Sequence, residues 1–144
     1  MLKRGIDKEL NMFELFTCRN QGALFSDCQY LDYYPCDAYD FITKFMYSDI
    51  AESMDKEVSM CHTWGTEQLY ETLFFQQEYK KFGGVFIDDR VLYWVGYLYR
   101  YWAWWIGESS KDIIRIIPVE RACQTYIGLH TLSPEEAIMM WKNR

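Results

Sequence analysis

The sequence YWVGYLYRYWAWW covers residues 93–105, and eight of its thirteen residues are tyrosine or tryptophan. The apolar run around it extends from Val91 to Ile106, which is shorter than the roughly 20 residues that a membrane-spanning helix needs. It also contains Arg100, and a charged side chain at the centre of a bilayer is costly. At helical spacing the apolar residues surround almost the whole axis, which is typical of a buried helix. The stretch therefore predicts a central core helix over about 89–106 and no membrane span.

Small and charged positions within this predicted helix suggest how it packs. Gly96 and Ala103 are small and seven residues apart, so a second helix could approach closely on that side. Arg100 lies within helical reach of Tyr97 and Trp104, and its guanidinium could stack on their rings. A buried Arg100 would also need a carboxylate or several carbonyl groups as partners. One face is thus expected to be core, and the other could stay open to a partner, because Tyr, Trp and Arg dominate binding hot spots.

The bulk composition predicts one globular domain over residues 1–144, with half of the residues apolar and 19% aromatic. A net charge of −6 argues against nucleic-acid binding, which relies on basic patches. The five cysteines are odd in number, and the N-terminal sequence lacks the apolar segment of a secretory signal. We therefore expect reduced thiols and a cytoplasmic location.

Capping residues and apolar periodicity along the chain predict an all-α, compact single-domain bundle of six to seven helices around the aromatic helix. Asp7 is the candidate cap of a first helix, and the rest of residues 1–36 reads as less regular, mostly loop. Asp37 precedes an amphipathic helix over about 38–55, and Thr66 precedes one over about 67–81 that ends before two glycines. The remaining predicted starts are at Asp88, Ser109, Pro118 and Ser133.

No pattern in the sequence indicates catalysis. There is no glycine-rich phosphate loop and no nucleophile elbow, and the cysteines and histidines lack the spacing of a zinc site. Ser109 and Ser110 fit a capping role, and Asp88 and Asp89 fit a helix cap with a first-turn carboxylate. His130 lies in a turn before a helix, where a structural hydrogen bond is the ordinary role. We therefore predict no catalytic residue, no metal and no cofactor.

Three carboxylates mark a candidate partner surface on the predicted 38–55 helix. Asp49, Glu52 and Asp55 recur at intervals of three residues, so they would share its outer face. A solvated acidic face is the ordinary interpretation of such a series. The alternatives are a surface that meets a basic partner, or metal or acid–base work.

Beyond this reading of the residues, the C-terminal half resembles a family of small uncharacterised cytoplasmic proteins of Firmicutes and related gut bacteria. The resemblance covers roughly residues 37–140. It rests on the YWxGYxYRYW run at 93–102, on GESSK at 107–111, on HTxxPxxAI at 130–138 and on FMxSxIAxxxD at 45–55. Residues 1–36 fit that family poorly. The long aromatic string is the specific part of the match.

The resemblance implies a partner-binding role, because members of that family look like parts of toxin–antitoxin-type gene clusters beside predicted ADP-ribosyltransferase-like toxins. It carries no catalytic residue, since none is established for the motif. The leading hypothesis is thus an intracellular protein-interaction module, an antitoxin-like neutraliser that blocks a toxin enzyme or binds another cluster member. Self-association is left open, and so is toxin activity of the chain itself.

The alternative hypothesis is a ligand-binding or enzymatic domain with an aromatic pocket for a nucleotide-like small molecule. That pocket would be lined by Tyr93, Tyr97, Arg100, Trp104 and His130. Arg100 would then meet a phosphate or carboxylate of the ligand. A fully packed Arg100 that is paired with an internal carboxylate would exclude this site.

Overall fold

The computed structural model describes residues 8–143, and over this range the fold is all-α around a central aromatic helix, as the sequence predicts. Two 3₁₀ turns at Cys28–Tyr30 and Met60–Thr63 accompany the α-helices. The α-helices are α1 (Met12–Asp27), α2 (Ala38–Met46), α3 (Asp49–Met54), α4 (Thr66–Gln76), α5 (Asp89–Ile106), α6 (Ser110–Ile116), α7 (Val119–Gln124), α8 (Tyr126–Leu129) and α9 (Pro134–Lys142).

The nine α-helices of residues 8–143 exceed the predicted six to seven because two predicted helices are interrupted. The 38–55 helix breaks at Tyr47, and the side chain of Ser48 accepts a hydrogen bond from the Ala51 backbone N–H to start α3. A serine that bonds the backbone in this way favours a new helix start over continuation. A second break, at Thr125, separates α7 from α8.

Helix α4 ends at Gln76, five residues before the predicted end at 81. Gln77 is extended, with φ −160° and ψ 164°, and the chain after it lies beside residues 35–37. Asp37 N–H donates to Lys80 O, and Phe82 N–H donates to Pro35 O, each at 2.9 Å. These hydrogen bonds hold residues 80–82 in an extended conformation, which prevents α4 from continuing. No local sequence pattern predicts them, because their partners are more than 40 residues away.

The largest correction concerns residues 1–36, where the sequence predicts a first helix capped by Asp7 and then mostly loop, whereas the structure has one long helix, α1. The predicted cap, Asp7, lies outside the described residues. Asn11 starts α1 through a capping box with Glu14. The sequence underestimates the extent of α1 because polar residues lie on its buried side, which weakens its apolar periodicity: Glu14, Thr17 and Gln21 are all buried.

Helices α1 and α5 pack antiparallel in backbone contact at Gly22 and Gly96. A Cβ atom on Gly96 would lie 2.7 Å from Gln21 O and 3.0 Å from Gly22 Cα. A Cβ atom on Gly22 would lie 3.0 Å from Tyr93 O. The close approach expected at Gly96 is therefore confirmed, and α1 is the helix that makes it.

The C-terminal helix α9 packs on α5 through Trp141. The indole of Trp141 on α9 is fully buried, and its centroid lies 5.2 Å from Trp94, 5.7 Å from Tyr99 and 6.3 Å from Trp102. Helix α9 begins at Ser133 with a capping box to Glu136, as predicted. The aromatic run thus supplies the centre of one continuous buried cluster. No helix within residues 8–143 is long and apolar enough to cross a membrane.

The five cysteines are free thiols, and four of them are buried. Burial raises the pKa of Cys18, Cys36 and Cys123 to about 12 and raises that of Cys28 further. The thiolate, and not the thiol, is the reactive form. Cys18, Cys28, Cys36 and Cys123 therefore act as small apolar groups and not as nucleophiles.

We expect the free energy of unfolding to fall as pH rises from 8 to 10, in part because the unfolded chain ionises thiols that the folded chain keeps neutral. A buried thiol whose folded pKa is raised stabilises the fold below its unfolded pKa, and that contribution is lost as pH rises toward the folded pKa of about 12. For Cys18 the loss between pH 8 and 10 is about 1.4 kcal/mol. Urea titrations of the wild type and of Cys18→Ala at both pH values should show a flatter pH dependence in the variant. Equal slopes would contradict a buried neutral thiol at this position.

Candidate functional site

Arg100, the charged residue of the aromatic run, lies at the centre of a buried polar network. Its side chain is fully buried. Nε donates to Gln21 Oε1 at 3.0 Å, Nη1 to Asp55 Oδ1 at 2.7 Å, and Nη2 to Ser110 Oγ at 3.2 Å. We call Gln21, Asp55, Arg100 and Ser110 the Arg100 network. The carboxylate that a buried Arg100 requires is therefore present, and it is Asp55.

Asp55 joins this network to the start of α6. It follows the last residue of α3, and its Oδ2 accepts the Ser110 backbone N–H at 2.8 Å while Oδ1 accepts the Ser110 hydroxyl at 2.6 Å. Ser109 caps the same helix start through the Asp112 N–H, as predicted. At the other end, Gln21 Nε2 donates to Gly96 O at 3.0 Å. The Arg100 network thus connects α1, α3, α5 and α6.

These contacts correct the predicted aromatic pocket. All three nitrogens of the Arg100 guanidinium have protein acceptors, so it is not accessible to a phosphate or carboxylate ligand. The expected stacking of Arg100 on Trp104 is also wrong. Lys8 lies over the Trp104 ring instead, with its Nζ atom 5.7 Å from the centroid. Arg100 is a structural residue.

The other predicted pocket residues contact different neighbours. Tyr93 and Tyr97 stack along the outer face of α5 at 6.3 Å, and Tyr93 is 37% exposed. Trp104 is buried and donates to Thr17 Oγ1 on α1 at 2.8 Å. His130 is exposed at the end of α8, where its ring stacks on Tyr126 at 4.3 Å. The structure therefore brings Tyr93 and Tyr97 together, while Trp104 and His130 serve separate local contacts.

The predicted acidic partner surface is reduced to two members. Asp49 and Glu52 are exposed on α3. The Asp55 side chain is 15% exposed and turns inward to Arg100. Asp55 departs from the series because its carboxylate accepts hydrogen bonds from the buried Arg100 guanidinium and from Ser110. Only Asp49 and Glu52 can meet a partner from this helix.

A different surface forms where residues 31–37 lie beside residues 77–82. The Tyr34 hydroxyl donates to Tyr79 O at 2.6 Å, which brings Tyr33 and Tyr34 against Phe74 on α4. The ring centroids of Tyr33 and Tyr34 lie 6.2 and 5.7 Å from that of Phe74, and Tyr79 lies 5.5 Å from it. A hollow of about 310 Å³ opens among these rings, with Gln77 and Glu78 completing its lining.

A second, acidic hollow of about 620 Å³ adjoins the first, and Tyr33 lines both. We call the two hollows together the Tyr33 groove. The second hollow is lined by Asp27, Leu31, Asp32, Tyr33, Thr66, Glu67, Tyr70 and Glu71. Four of these side chains are carboxylates, and none is a lysine or arginine. Tyr70 anchors the hollow's floor through a hydrogen bond from its hydroxyl to Leu24 O.

Two features of the sequence point in part to this groove. Tyr33 and Tyr34 form an aromatic pair in a region that reads as irregular, and Phe74 belongs to the apolar stripe of the predicted 67–81 helix. Their meeting depends on backbone pairing between segments more than 40 residues apart, which periodicity does not reveal.

Comparisons with protein-family models, curated proteins and solved structures give no match to this chain. Among residues 8–143 no three histidine, cysteine or acidic side chains are grouped so that they could hold a metal ion. The Tyr33 groove combines concavity, aromatic rings and a group of carboxylates without a lysine or arginine in its lining, and it is the candidate site.

Proposed function

We propose that this chain is an intracellular protein-interaction module and acts as an antitoxin-like neutraliser that blocks a toxin enzyme sterically. The observation that carries the proposal is that large apolar side chains are exposed on the segments that line the Tyr33 groove or follow it in the chain. Tyr33 is 69% exposed, Phe75 is 92% exposed and Val85 is 81% exposed. Large apolar side chains exposed around a concave surface are typical of protein-interaction sites.

The position of these residues supports the proposal further. Tyr30 stacks on Phe86 at 4.9 Å, and Gln29 makes two hydrogen bonds to the Ile87 backbone, so residues 29–33 lie beside residues 74–87. The exposed aromatics therefore project from a surface that the fold holds in place. A preformed surface loses little conformational entropy on binding.

The net charge of the chain agrees with this role, and so does the resemblance of its C-terminal half to the family described above. A net charge of −6 favours a basic partner and disfavours direct binding to DNA. The proposed class of partner comes from the resemblance of residues 37–140 to proteins of toxin–antitoxin-type clusters. The Arg100 guanidinium is hydrogen-bonded to Gln21, Asp55 and Ser110 inside the protein. No observation therefore favours the alternative, a nucleotide-like ligand bound to Arg100 in an aromatic pocket.

The role is tested by co-expressing the chain with each neighbouring gene product, followed by affinity capture and size-exclusion chromatography. We expect one product to co-elute stoichiometrically, and the growth arrest caused by a toxin to be relieved. Chromatography of the chain alone gives its own oligomeric state as the reference. If no neighbouring product binds and no toxicity is relieved, the proposed role is wrong. Growth arrest on expression of this chain alone would instead indicate toxin activity.

The double variant Asp49→Lys/Glu52→Lys then asks whether the acidic face of α3 takes part. Both side chains are exposed, so the fold should tolerate the change. A reduced affinity for the captured partner would place that face in the interface. Glu120→Lys, at an exposed carboxylate on α7, is the charge-matched control for each of the single variants Asp49→Lys and Glu52→Lys.

A further inference from the structure

The aromatic hollow of the Tyr33 groove has the size and chemistry to receive one side chain of a partner. At about 310 Å³ it lies at the lower limit of small-molecule pockets, which span about 300–1,000 Å³. Its walls are the rings of Tyr33, Tyr34, Phe74 and Tyr79. Aromatic faces carry negative electrostatic potential, so they attract cations as well as apolar groups.

The charges around the hollow select the sign of that side chain. Glu78 lines the aromatic hollow, and four carboxylates line the adjoining one: Asp27, Asp32, Glu67 and Glu71. Carboxylates grouped in a concave surface concentrate negative potential and attract cationic segments. Phosphates and acidic peptides would meet like charge on entering this groove. The acidic hollow therefore favours a positively charged occupant. In the aromatic hollow, Glu78 and the faces of Tyr33, Tyr34 and Phe74 favour one, while Lys44 already lies over Tyr79.

The protein already places cations on its own tyrosines in this way. Lys44 Nζ lies 5.7 Å from the centroid of Tyr79, and the Arg115 guanidinium lies 5.7 Å from that of Tyr47. Arginine suits the groove better than lysine does. Its planar group stacks on rings and donates two parallel hydrogen bonds to a carboxylate.

We propose that the Tyr33 groove binds an arginine-bearing basic segment of a partner protein, with one arginine in the aromatic hollow and a neighbouring basic residue at the carboxylates of the second hollow. This inference rests on the protein-interaction role proposed above and deepens it by naming the contact. Tyr33 lines both hollows, and its side chain is exposed. The substitution Tyr33→Ala should therefore remove the site without disturbing the core.

The test uses the full chain and a fluorescent peptide in which arginines alternate with glycines, measured by fluorescence anisotropy. Two further peptides replace each arginine with lysine or with citrulline, which keeps the shape of arginine without its charge. We expect binding of the arginine peptide to weaken about tenfold with Tyr33→Ala and severalfold with Glu67→Gln/Glu71→Gln. The citrulline peptide should bind at least tenfold more weakly than the arginine peptide.

Matched controls separate a specific groove from general attraction to an acidic protein. Tyr47→Ala removes an exposed ring that lies against Arg115, and Glu120→Gln removes an exposed carboxylate from α7. Both should bind the arginine peptide as the wild type does. If Tyr33→Ala is no weaker than Tyr47→Ala, if citrulline binds as well as arginine, or if the arginine peptide does not bind at all, the assignment is overturned. Circular dichroism of each variant confirms that it is folded.

The two proposals can fail separately. A partner complex that persists undiminished with Tyr33→Ala and Glu67→Gln/Glu71→Gln would overturn the groove assignment and leave the interaction role intact. Binding of the arginine peptide through Tyr33, without a complex with any neighbouring gene product, would support the groove and overturn the antitoxin-like role.

Discussion

Arg100→Ala is expected to lower the free energy of unfolding by about 3–5 kcal/mol, because it leaves buried polar groups without their partner. Asp55 would lose its only basic partner in the network, and Gln21 Oε1 would lose the donor that holds it. The truncation would also leave a cavity at a fully buried position in the middle of α5. Urea unfolding followed by circular dichroism measures the change.

A double-mutant cycle identifies the network as the cause of this loss. Asp55→Ala alone should be strongly destabilising, since it leaves the Arg100 guanidinium buried without a counter-charge. The combined variant Arg100→Ala/Asp55→Ala should lose clearly less than the sum of the two single losses, because the second substitution removes a group that the first has already orphaned. Additive losses would show that the two residues do not act together. Either way, Arg100 variants report on folding and are unsuitable for mapping a binding surface.

Gly96→Ala is expected to cost about 3 kcal/mol, although alanine is ordinarily preferred to glycine inside a helix by about 1 kcal/mol. The new methyl group would lie 2.7 Å from Gln21 O and 3.0 Å from Gly22 Cα. Both are backbone atoms, so relief requires α1 to move away from α5. That movement would also stretch the hydrogen bond from Gln21 Nε2 to Gly96 O. Thermal and urea unfolding of the variant measure the loss.

Gly128→Ala is the control for this prediction. Gly128 lies within α8, and a Cβ atom built there meets nothing within 4 Å. Its substitution should leave stability unchanged or raise it by up to about 1 kcal/mol. If Gly96→Ala behaves like Gly128→Ala, the close crossing of α1 and α5 is wrong.

Sequence reasoning succeeded where the structural signal is local. The bounds of α5 follow from Asp88 as cap and from an unbroken apolar run that ends before Gly107, which adopts a left-handed conformation with φ 86°. Ser109 and Ser133 likewise cap the helices they precede. In each case the residues that determine the structure are neighbours in sequence, so a capping side chain and a helical period suffice.

It failed where a residue's role depends on a distant partner. Glu14, Thr17 and Gln21 look like surface residues, yet they are buried because Lys8, Trp104 and Arg100 hydrogen-bond to them. Asp55 reads as the third member of an acidic series, and it becomes internal because Arg100 and Ser110 bind it. For the same reason the Tyr33 groove was not foreseen, since pairing of residues 35–37 with 80–82 creates it.

The contact between Gly22 and Gly96 also constrains the order in which the chain can fold. Helix α1 is synthesised first, but the surface that buries its polar side lies on α5, some 75 residues later in the sequence. At about 5–20 residues per second, translation of the intervening chain takes several seconds. An isolated helix of 16 residues is only marginally stable in water, so α1 forms and dissolves repeatedly during that interval. The packing of α1 on α5 can therefore form only after α5 has emerged from the ribosome, and this contact between distant segments adds a loop-closure cost to folding.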